Sequence, residues 1–128
     1  MPRMASEFAA VFSALKPVIS RHAKRFAVKA DTPREYALVA RTPSPFPQHK
    51  GQPMWFGSIR LGKAYVSVHL MPLYMSQELC ATISPALKQR MQGKTCFNFK
   101  TGPPPELVAE LKNLADAGLK QWAGRKWI

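Results

Sequence analysis

Two apolar-rich segments joined by a glycine-led turn constrain the fold of this 128-residue chain more than any other feature. Residues 54–61 and 64–71 flank Gly62, which begins a two-residue linker of the kind found in tight β-hairpins. The pattern predicts a hairpin in which Leu61 faces Ala64. Because side chains alternate across a strand, one face is then directed to the core. That face is predicted to carry Trp55, Gly57, Ile59, Val66, Val68 and Leu70.

The second face of this hairpin is mixed in character. It is predicted to carry Phe56, Ser58, Arg60, Tyr65, Ser67, His69 and Met71. A segment rich in proline, residues 42–53, precedes the hairpin and is expected to run as an extended loop. Three states of the second face stay open: an exposed cleft, a face filled by Phe46 of the proline-rich loop, or an interface with a second copy of the chain.

Helical periodicity marks both ends of the chain. Between residues 5 and 26, apolar side chains recur at steps of three, four or seven, and Pro17 predicts a kink or a break within that helix. Three prolines at 103–105 precede a second helix. Its apolar face is predicted to carry Leu107, Leu111, Leu114, Gly118 and Trp122. Short helices are expected after Ser76 and Ser84, because serine is a favoured N-cap residue.

Two further segments, 35–41 and 95–100, are predicted to be β-strands. Together these elements predict a single α+β domain over residues 1–128. We expect an antiparallel β-sheet with a central β-hairpin, covered on one face by the N- and C-terminal helices. The predicted regions are an N-terminal helical region (1–30), a sheet with short helices (35–100) and a C-terminal helix (103–124).

Three features of the second half carry a family resemblance. They are a hairpin whose second strand ends near Pro72, the strand Gly93-Lys94-Thr95-Cys96-Phe97-Asn98-Phe99, and the helix start Pro103-Pro104-Pro105-Glu106-Leu107. In these features, over roughly residues 54–122, the chain resembles the YdhG-like family of small bacterial domains. The resemblance implies an α+β fold. Because some members are described as frataxin-like intracellular iron chaperones, the resemblance also implies a role in iron handling.

The charge balance argues against that role here. Lys and Arg outnumber Asp and Glu by 19 to 7, and residues 54–104 contain a single acid, Glu78. Iron handling of the frataxin type relies on an acidic surface, and a hard cation needs clustered carboxylates. We therefore expect the resemblance to extend to the fold without the iron-related activity.

No arrangement of residues in the sequence indicates a catalytic or metal site. The candidate soft or borderline ligands are His22, His49, His69, Cys80 and Cys96, and none of them forms a CxxC, HxxxH or HExxH motif. A nucleophile pair of Cys96 and His69 on neighbouring strands is geometrically feasible but has no supporting motif. The carboxylates are scattered, and no phosphate-binding glycine motif is present. We expect a protein that is not an enzyme and has no metal or cofactor.

Two function hypotheses follow. The first is a binding domain for a small molecule or a protein partner, and its predicted determinants are Phe56, Tyr65, His69, Met71 and Tyr74. The alternative follows from the net charge of +12: binding of nucleic acid or another polyanion without sequence specificity. Its predicted determinants are Arg21, Lys24, Arg25, Arg60 and Lys63. A monomer and a homodimer are both compatible with the pattern.

Two cysteines in a chain of this size do not indicate a disulfide scaffold, and no apolar stretch approaches the length of a membrane span. We therefore expect a cytoplasmic protein that does not interact with the membrane.

Overall fold

The predicted hairpin lies at the centre of a six-stranded antiparallel sheet. The computed structural model describes residues 2–93 and 96–126. Its strands are β1 (Ala27–Asp31), β2 (Glu35–Val39), β3 (Trp55–Leu61), β4 (Val66–Leu70), β5 (Met91–Gln92) and β6 (Cys96–Phe99). Their order across the sheet is β1-β2-β3-β4-β6-β5, with every neighbouring pair antiparallel. The predicted α+β class is confirmed.

Helices account for most of the remaining structure. They are α1 (Pro2–Leu15), α2 (Pro17–Ser20), α3 (Pro72–Met75), α4 (Gln77–Ala81), α5 (Pro85–Lys88) and α6 (Pro105–Gly124), with 3-10 helices at Ala23–Arg25 and Pro47–His49. Pro17 separates α1 from α2, as predicted. The hydroxyl oxygens of Ser76 and Ser84 accept hydrogen bonds from the backbone N–H groups of Leu79 and Leu87, both at 3.2 Å. Both predicted N-caps are confirmed.

Strands β1 and β5 were not expected from the sequence. Strand β1 lies within the region that the sequence predicts to be helical, and it pairs with β2 at the edge of the sheet. Its side chains are half-buried or exposed, so it lacks the apolar alternation that reveals a strand. Strand β5 has only two residues and forms the other edge. Both strands pair with the next strand along the chain, so they were missed because β1 lacks apolar alternation and β5 is very short.

The register of the hairpin differs from the prediction by two residues. Leu61 pairs with Val66, Ile59 with Val68 and Gly57 with Leu70. The turn therefore spans residues 62–65, and the Gly62 N–H donates to the Tyr65 carbonyl at 3.0 Å. This longer turn places the larger Val66, rather than Ala64, opposite Leu61. Because a shift of two residues keeps the alternation, Ile59, Val66, Val68 and Leu70 still face the core as predicted.

A β-bulge at the start of β3 reverses the prediction for two neighbouring aromatic residues. Leu38 pairs with Gly57 and Val39 with Trp55, which leaves Phe56 as the extra residue. Phe56 is fully buried, whereas Trp55 is 40% exposed. The ring of Phe56 stacks on Phe26 with centroids 4.4 Å apart. The predicted places of Phe56 on the second face and of Trp55 toward the core are therefore wrong.

The helices cover one face of the sheet. Each of α1–α6 contributes buried side chains to a single hydrophobic cluster, for example Leu15, Val18, Leu73, Leu79, Leu87 and Leu111. The sheet contributes Tyr36, Leu38, Ile59, Val66, Val68, Leu70, Phe97 and Phe99 to the same cluster. Phe46 of the proline-rich loop also packs against it. Since Phe46 belongs to the core side, it does not fill the second face of the hairpin.

Candidate binding site on the open sheet face

One face of the sheet, the open face, is turned away from the hydrophobic cluster. The strand register arranges its side chains in two rows. One row consists of Glu35, Arg60, Ser67 and Asn98, and the other of Ala37, Ser58, His69, Cys96 and Gln92. Directly opposed residues have Cβ atoms about 4.5–5.5 Å apart. Each row is therefore a continuous strip of neighbouring side chains.

A depression of about 430 Å³ lies over these two rows. Its lining combines Trp55 and Met71 with members of both rows, including Glu35, Arg60, Ser67, His69 and Cys96. Trp55 offers a partly exposed indole, and Arg60 is exposed to solvent. The depression therefore joins a flat apolar group, a positive charge and several hydrogen-bonding groups on one surface.

Hydrogen bonds hold the polar side chains of β4, β5 and β6 in place. The Ser67 hydroxyl donates to Asn98 Oδ1 at 3.0 Å, and Asn98 Nδ2 donates to Gln92 Oε1 at 2.7 Å. Cys96 Sγ lies 3.6 Å from the same Asn98 oxygen. Linked hydrogen bonds restrict the rotamers of the groups that they join. This part of the open face is therefore preorganised.

Partial burial keeps His69 and Cys96, the two titratable groups of the second row, uncharged near neutral pH. Burial lowers the pKa of His69. Burial also raises the pKa of the Cys96 thiol, and a hydrogen bond with Ser67 opposes this rise. His69 and Cys96 are direct neighbours across β4 and β6, as the nucleophile-pair hypothesis requires. The pKa of the thiol, however, moves opposite to the direction that activates a cysteine nucleophile.

The residues predicted for ligand binding are divided among several places. His69 and Met71 line the depression on the open face. Phe56 lies in the core and contributes nothing to the surface. Tyr65 is half-buried in the hairpin turn. Tyr74 is 65% exposed on α3, where it lines a second depression of about 620 Å³.

The residues predicted for polyanion binding are also separated. Arg60 is on the open face, and Lys63 is in the hairpin turn. Lys24 and Arg25 are exposed in the 3-10 helix that precedes β1. Arg21 Nη2 lies 3.6 Å from Asp116 Oδ2 of α6, in a partly exposed ion pair. The five predicted basic residues therefore belong to different elements, and Arg60 alone of these five lines the depression.

Sequence reasoning missed several members of the open face. Trp55, Cys96 and Asn98 were not among the predicted binding residues, although the alternation in 95–100 already separates Cys96 and Asn98 from Phe97 and Phe99. The sequence contains no local signal that β6 lies beside β4. Trp55 was missed because the β-bulge reverses its direction.

Both cysteines are free thiols, and Cys80 Sγ donates to the Leu73 carbonyl at 3.2 Å. Within residues 2–93 and 96–126, no three His, Cys, Asp or Glu side chains are grouped as they are in a metal site. None of the helices in that part of the chain has the length and apolar character needed to cross a membrane.

Comparison with known proteins gives no relative: no protein-family model, curated protein or solved structure matches this chain. The assignment of a function therefore depends on the geometry of the open face.

Proposed function

We propose that this protein is a binding domain without enzymatic activity and that the open face is its ligand-binding surface. The observation that carries this proposal is the one-sided cover of the sheet. The six α-helices of the described residues pack on one face, whereas the other face holds a depression lined by preorganised polar groups and an exposed indole. A depression with a few convergent polar groups is the usual form of a ligand site.

The chemistry of the lining indicates what kind of ligand fits. Trp55 provides a flat surface for stacking, and Arg60 provides a positive charge. Ser58, Ser67 and His69 add neutral hydrogen-bonding groups. A small ligand that combines a planar ring with an anionic group matches this set. Catalysis is not supported, because Glu35 is the single carboxylate among the described residues that line the depression and acid/base hydrolysis uses two.

A thermal-shift screen with nucleotides and other small aromatic anions tests this proposal. We expect a ligand that raises the melting temperature of the wild type, because binding to the native state stabilises it. Trp55→Ala and Arg60→Gln should remove the shift. Tyr74→Ala is the matched control, because Tyr74 is exposed on the second depression. A shift that survives both open-face variants and disappears in Tyr74→Ala would place the site elsewhere.

A second candidate function is binding of single-stranded nucleic acid. The observation that favours it is that Trp55 and Arg60 line the same depression in a chain of net charge +12. Proteins that bind single strands combine base stacking on aromatic side chains with positive charge along the backbone path. The open face contains both kinds of group.

Fluorescence polarisation with single-stranded and duplex oligonucleotides at two salt concentrations tests this candidate. We expect tighter binding of the single strand, weakened by Trp55→Ala. If about six phosphates are neutralised, the logarithm of the binding constant should fall with the logarithm of salt concentration at a slope of about −4. Absence of binding at low salt would exclude the polyanion hypothesis.

The resemblance to the YdhG-like family supports a further part of the proposal, namely membership of that family, a bacterial origin and a cytoplasmic location. The iron-related role of some members is not part of it, because the depression contains one carboxylate beside an arginine. Titration with ferrous iron should therefore show no tight binding.

A further inference from the structure

Three side chains with soft donor atoms line the depression on the open face: His69, Met71 and Cys96. His69 belongs to β4, and Met71 follows two residues later along the same chain direction. The ladder continues to Met71, whose N–H donates to the Phe56 carbonyl at 3.0 Å. Met71 itself has a helical backbone conformation as the residue that caps α3, and its side chain lines the edge of the depression while also packing against the hydrophobic cluster. Cys96 is directly opposite His69 on β6.

The spacing of these three residues suits a single small ion. Because His69 and Cys96 are directly opposed, their Cβ atoms lie about 4.5–5.5 Å apart. Bonds from a metal ion to nitrogen or sulfur measure about 2–2.3 Å. The flexible side chain of Met71 can cover the remaining distance. An imidazole nitrogen, a thioether sulfur and a thiolate sulfur can therefore converge on one point.

The donor atoms select the kind of ion. Thiolate and thioether sulfur favour Cu(I), and imidazole also binds copper, whereas Mg²⁺ and Ca²⁺ require oxygen ligands. Zinc sites use Cys, His, Asp and Glu, and no group of three such residues suitable for a metal exists in the described parts of the chain. We propose that His69, Met71 and Cys96 form a three-coordinate site for Cu(I) on the open face.

Binding at this site involves no redox change. The S–H bond of Cys96 breaks, its proton leaves to solvent, and the sulfur forms a bond with Cu(I). His69 and Met71 donate lone pairs. Copper stays monovalent throughout, and one proton is released for each ion bound.

The surroundings of the three residues also fit a bound cation. Asn98 Oδ1 lies 3.6 Å from Cys96 Sγ, and Asn98 is itself hydrogen-bonded to Ser67 and Gln92. An outer layer of this kind orients the ligands of a metal site. Glu35 also lines the depression, and its negative charge offsets the positive charge of Arg60, its direct neighbour across β2 and β3. Trp55 adds an aromatic ring, a type of group that attracts cations to its face.

The decisive experiment is an anaerobic titration of the reduced 128-residue chain with Cu(I) in competition with a chromophoric Cu(I) chelator. We expect one ion per chain. Loss of the thiolate in Cys96→Ser should weaken binding more than about 100-fold, beyond what the loss of an outer partner causes. Met71→Leu and His69→Gln should each weaken it by at least about tenfold. Cys80→Ser is the matched control and should bind as the wild type does.

Several results would overturn the site. The first is a Cu(I) affinity of the wild type no higher than that of Cys96→Ser. The second is a loss of Cu(I) affinity in Cys80→Ser as large as that in Cys96→Ser. The third is binding of Zn²⁺ that is as tight as binding of Cu(I) and that Met71→Leu does not weaken. X-ray absorption of the copper-loaded protein should show two sulfur atoms and one nitrogen. Met71→Leu nearly conserves side-chain volume, so its melting temperature should stay near that of the wild type.

The copper site, like the proposed function, rests on the open face being an accessible binding surface. Different experiments, however, would refute the copper site and the proposed function. Arg60→Gln should abolish the thermal shift by aromatic anions but should not weaken Cu(I) binding, because it removes a positive charge from the depression. Met71→Leu keeps an apolar side chain of nearly the same volume in the lining, so it should weaken Cu(I) binding more than it weakens binding of aromatic anions. A wild type that binds aromatic anions and no Cu(I) refutes the copper site alone.

Discussion

The two faces of the sheet use alternate residues of the same strands for different purposes. On the covered face, Ile59, Val68 and Phe97 are completely buried. On the open face, their chain neighbours Ser58, His69 and Asn98 are half-buried and polar. A period of two along each strand is sufficient for this division. The covered face stabilises the fold, and the open face is left for binding, so substitutions at adjacent positions should differ sharply in their effects.

The largest difference is expected between Phe56 and Trp55, which are adjacent in sequence. Phe56→Ala should lower the free energy of unfolding by about 3–5 kcal/mol, because it removes a buried ring from contacts with Phe26 and Trp122. Trp55→Ala should cost about 1 kcal/mol, since 40% of the indole is already exposed. Urea denaturation of both variants measures the contrast. Equal losses would show that the bulge does not separate the two side chains.

A smaller effect is expected where the helices on the covered face meet each other. A Cβ atom at Gly118 of α6 would lie 2.6 Å from Cβ of Pro72. Gly118→Ala should therefore lower stability, because overpacking costs about 1–3 kcal/mol and outweighs the gain in helix propensity of about 1 kcal/mol. Gly124→Ala is the control on the same helix, where no atom lies within 4 Å. Thermal unfolding should show a decrease for the first variant and none for the second.

On the open face, His69 should make the stability of the protein depend on pH. Burial lowers the pKa of His69 in the folded state below its ordinary value of 6.5, so the unfolded state binds more protons as the pH falls. The contribution of His69 to stability is therefore complete above about pH 6.5 and declines on acidification. We expect the wild type to lose stability relative to His69→Gln between pH 7 and pH 5. The slope should stay well below the limit of about 1.4 kcal/mol per pH unit, because the ring is half-exposed.

Unfolding curves of the two proteins at matched pH values isolate this contribution from that of the other titratable groups. A stability difference that does not change with pH would mean that His69 titrates alike in the folded and unfolded states.

The smallest effect on stability is expected at Arg60. This exposed side chain on the open face should contribute less than about 0.5 kcal/mol, so Arg60→Gln should unfold at nearly the wild-type urea concentration. Binding of ligand should nevertheless be lost. A marked loss of stability in this variant would show that the open face also supports the fold.

Local patterns predicted much of the fold correctly. The helix break at Pro17 and the caps at Ser76 and Ser84 follow from the chemistry of one or two residues, and the structure contains all three. The core side of Ile59, Val66, Val68 and Leu70 follows from alternation alone. The predicted hairpin register was wrong by two residues. Because a two-residue turn and a four-residue turn give the same alternation of core and surface positions, the sequence pattern does not distinguish between them.

The candidate site was predicted only in part. His69 and Met71 were identified because they belong to the hairpin, whose two strands are close in sequence. The places of Trp55 and Phe56 were exchanged, because a β-bulge depends on how β3 fits against β2. The alternation put Cys96 and Asn98 on a common side of their strand, but nothing in the sequence identified the strand beside it.

The sequence by itself determined the α+β class, the hairpin, the two terminal helical regions and the alternation of apolar and polar positions along the strands. These properties depend on interactions between residues that are close along the chain. Tertiary structure decided the order of the strands, the bulge at Phe56 and the placement of Cys96 directly opposite His69. Those features arise from contacts between distant segments, whose energies depend on how the whole core packs.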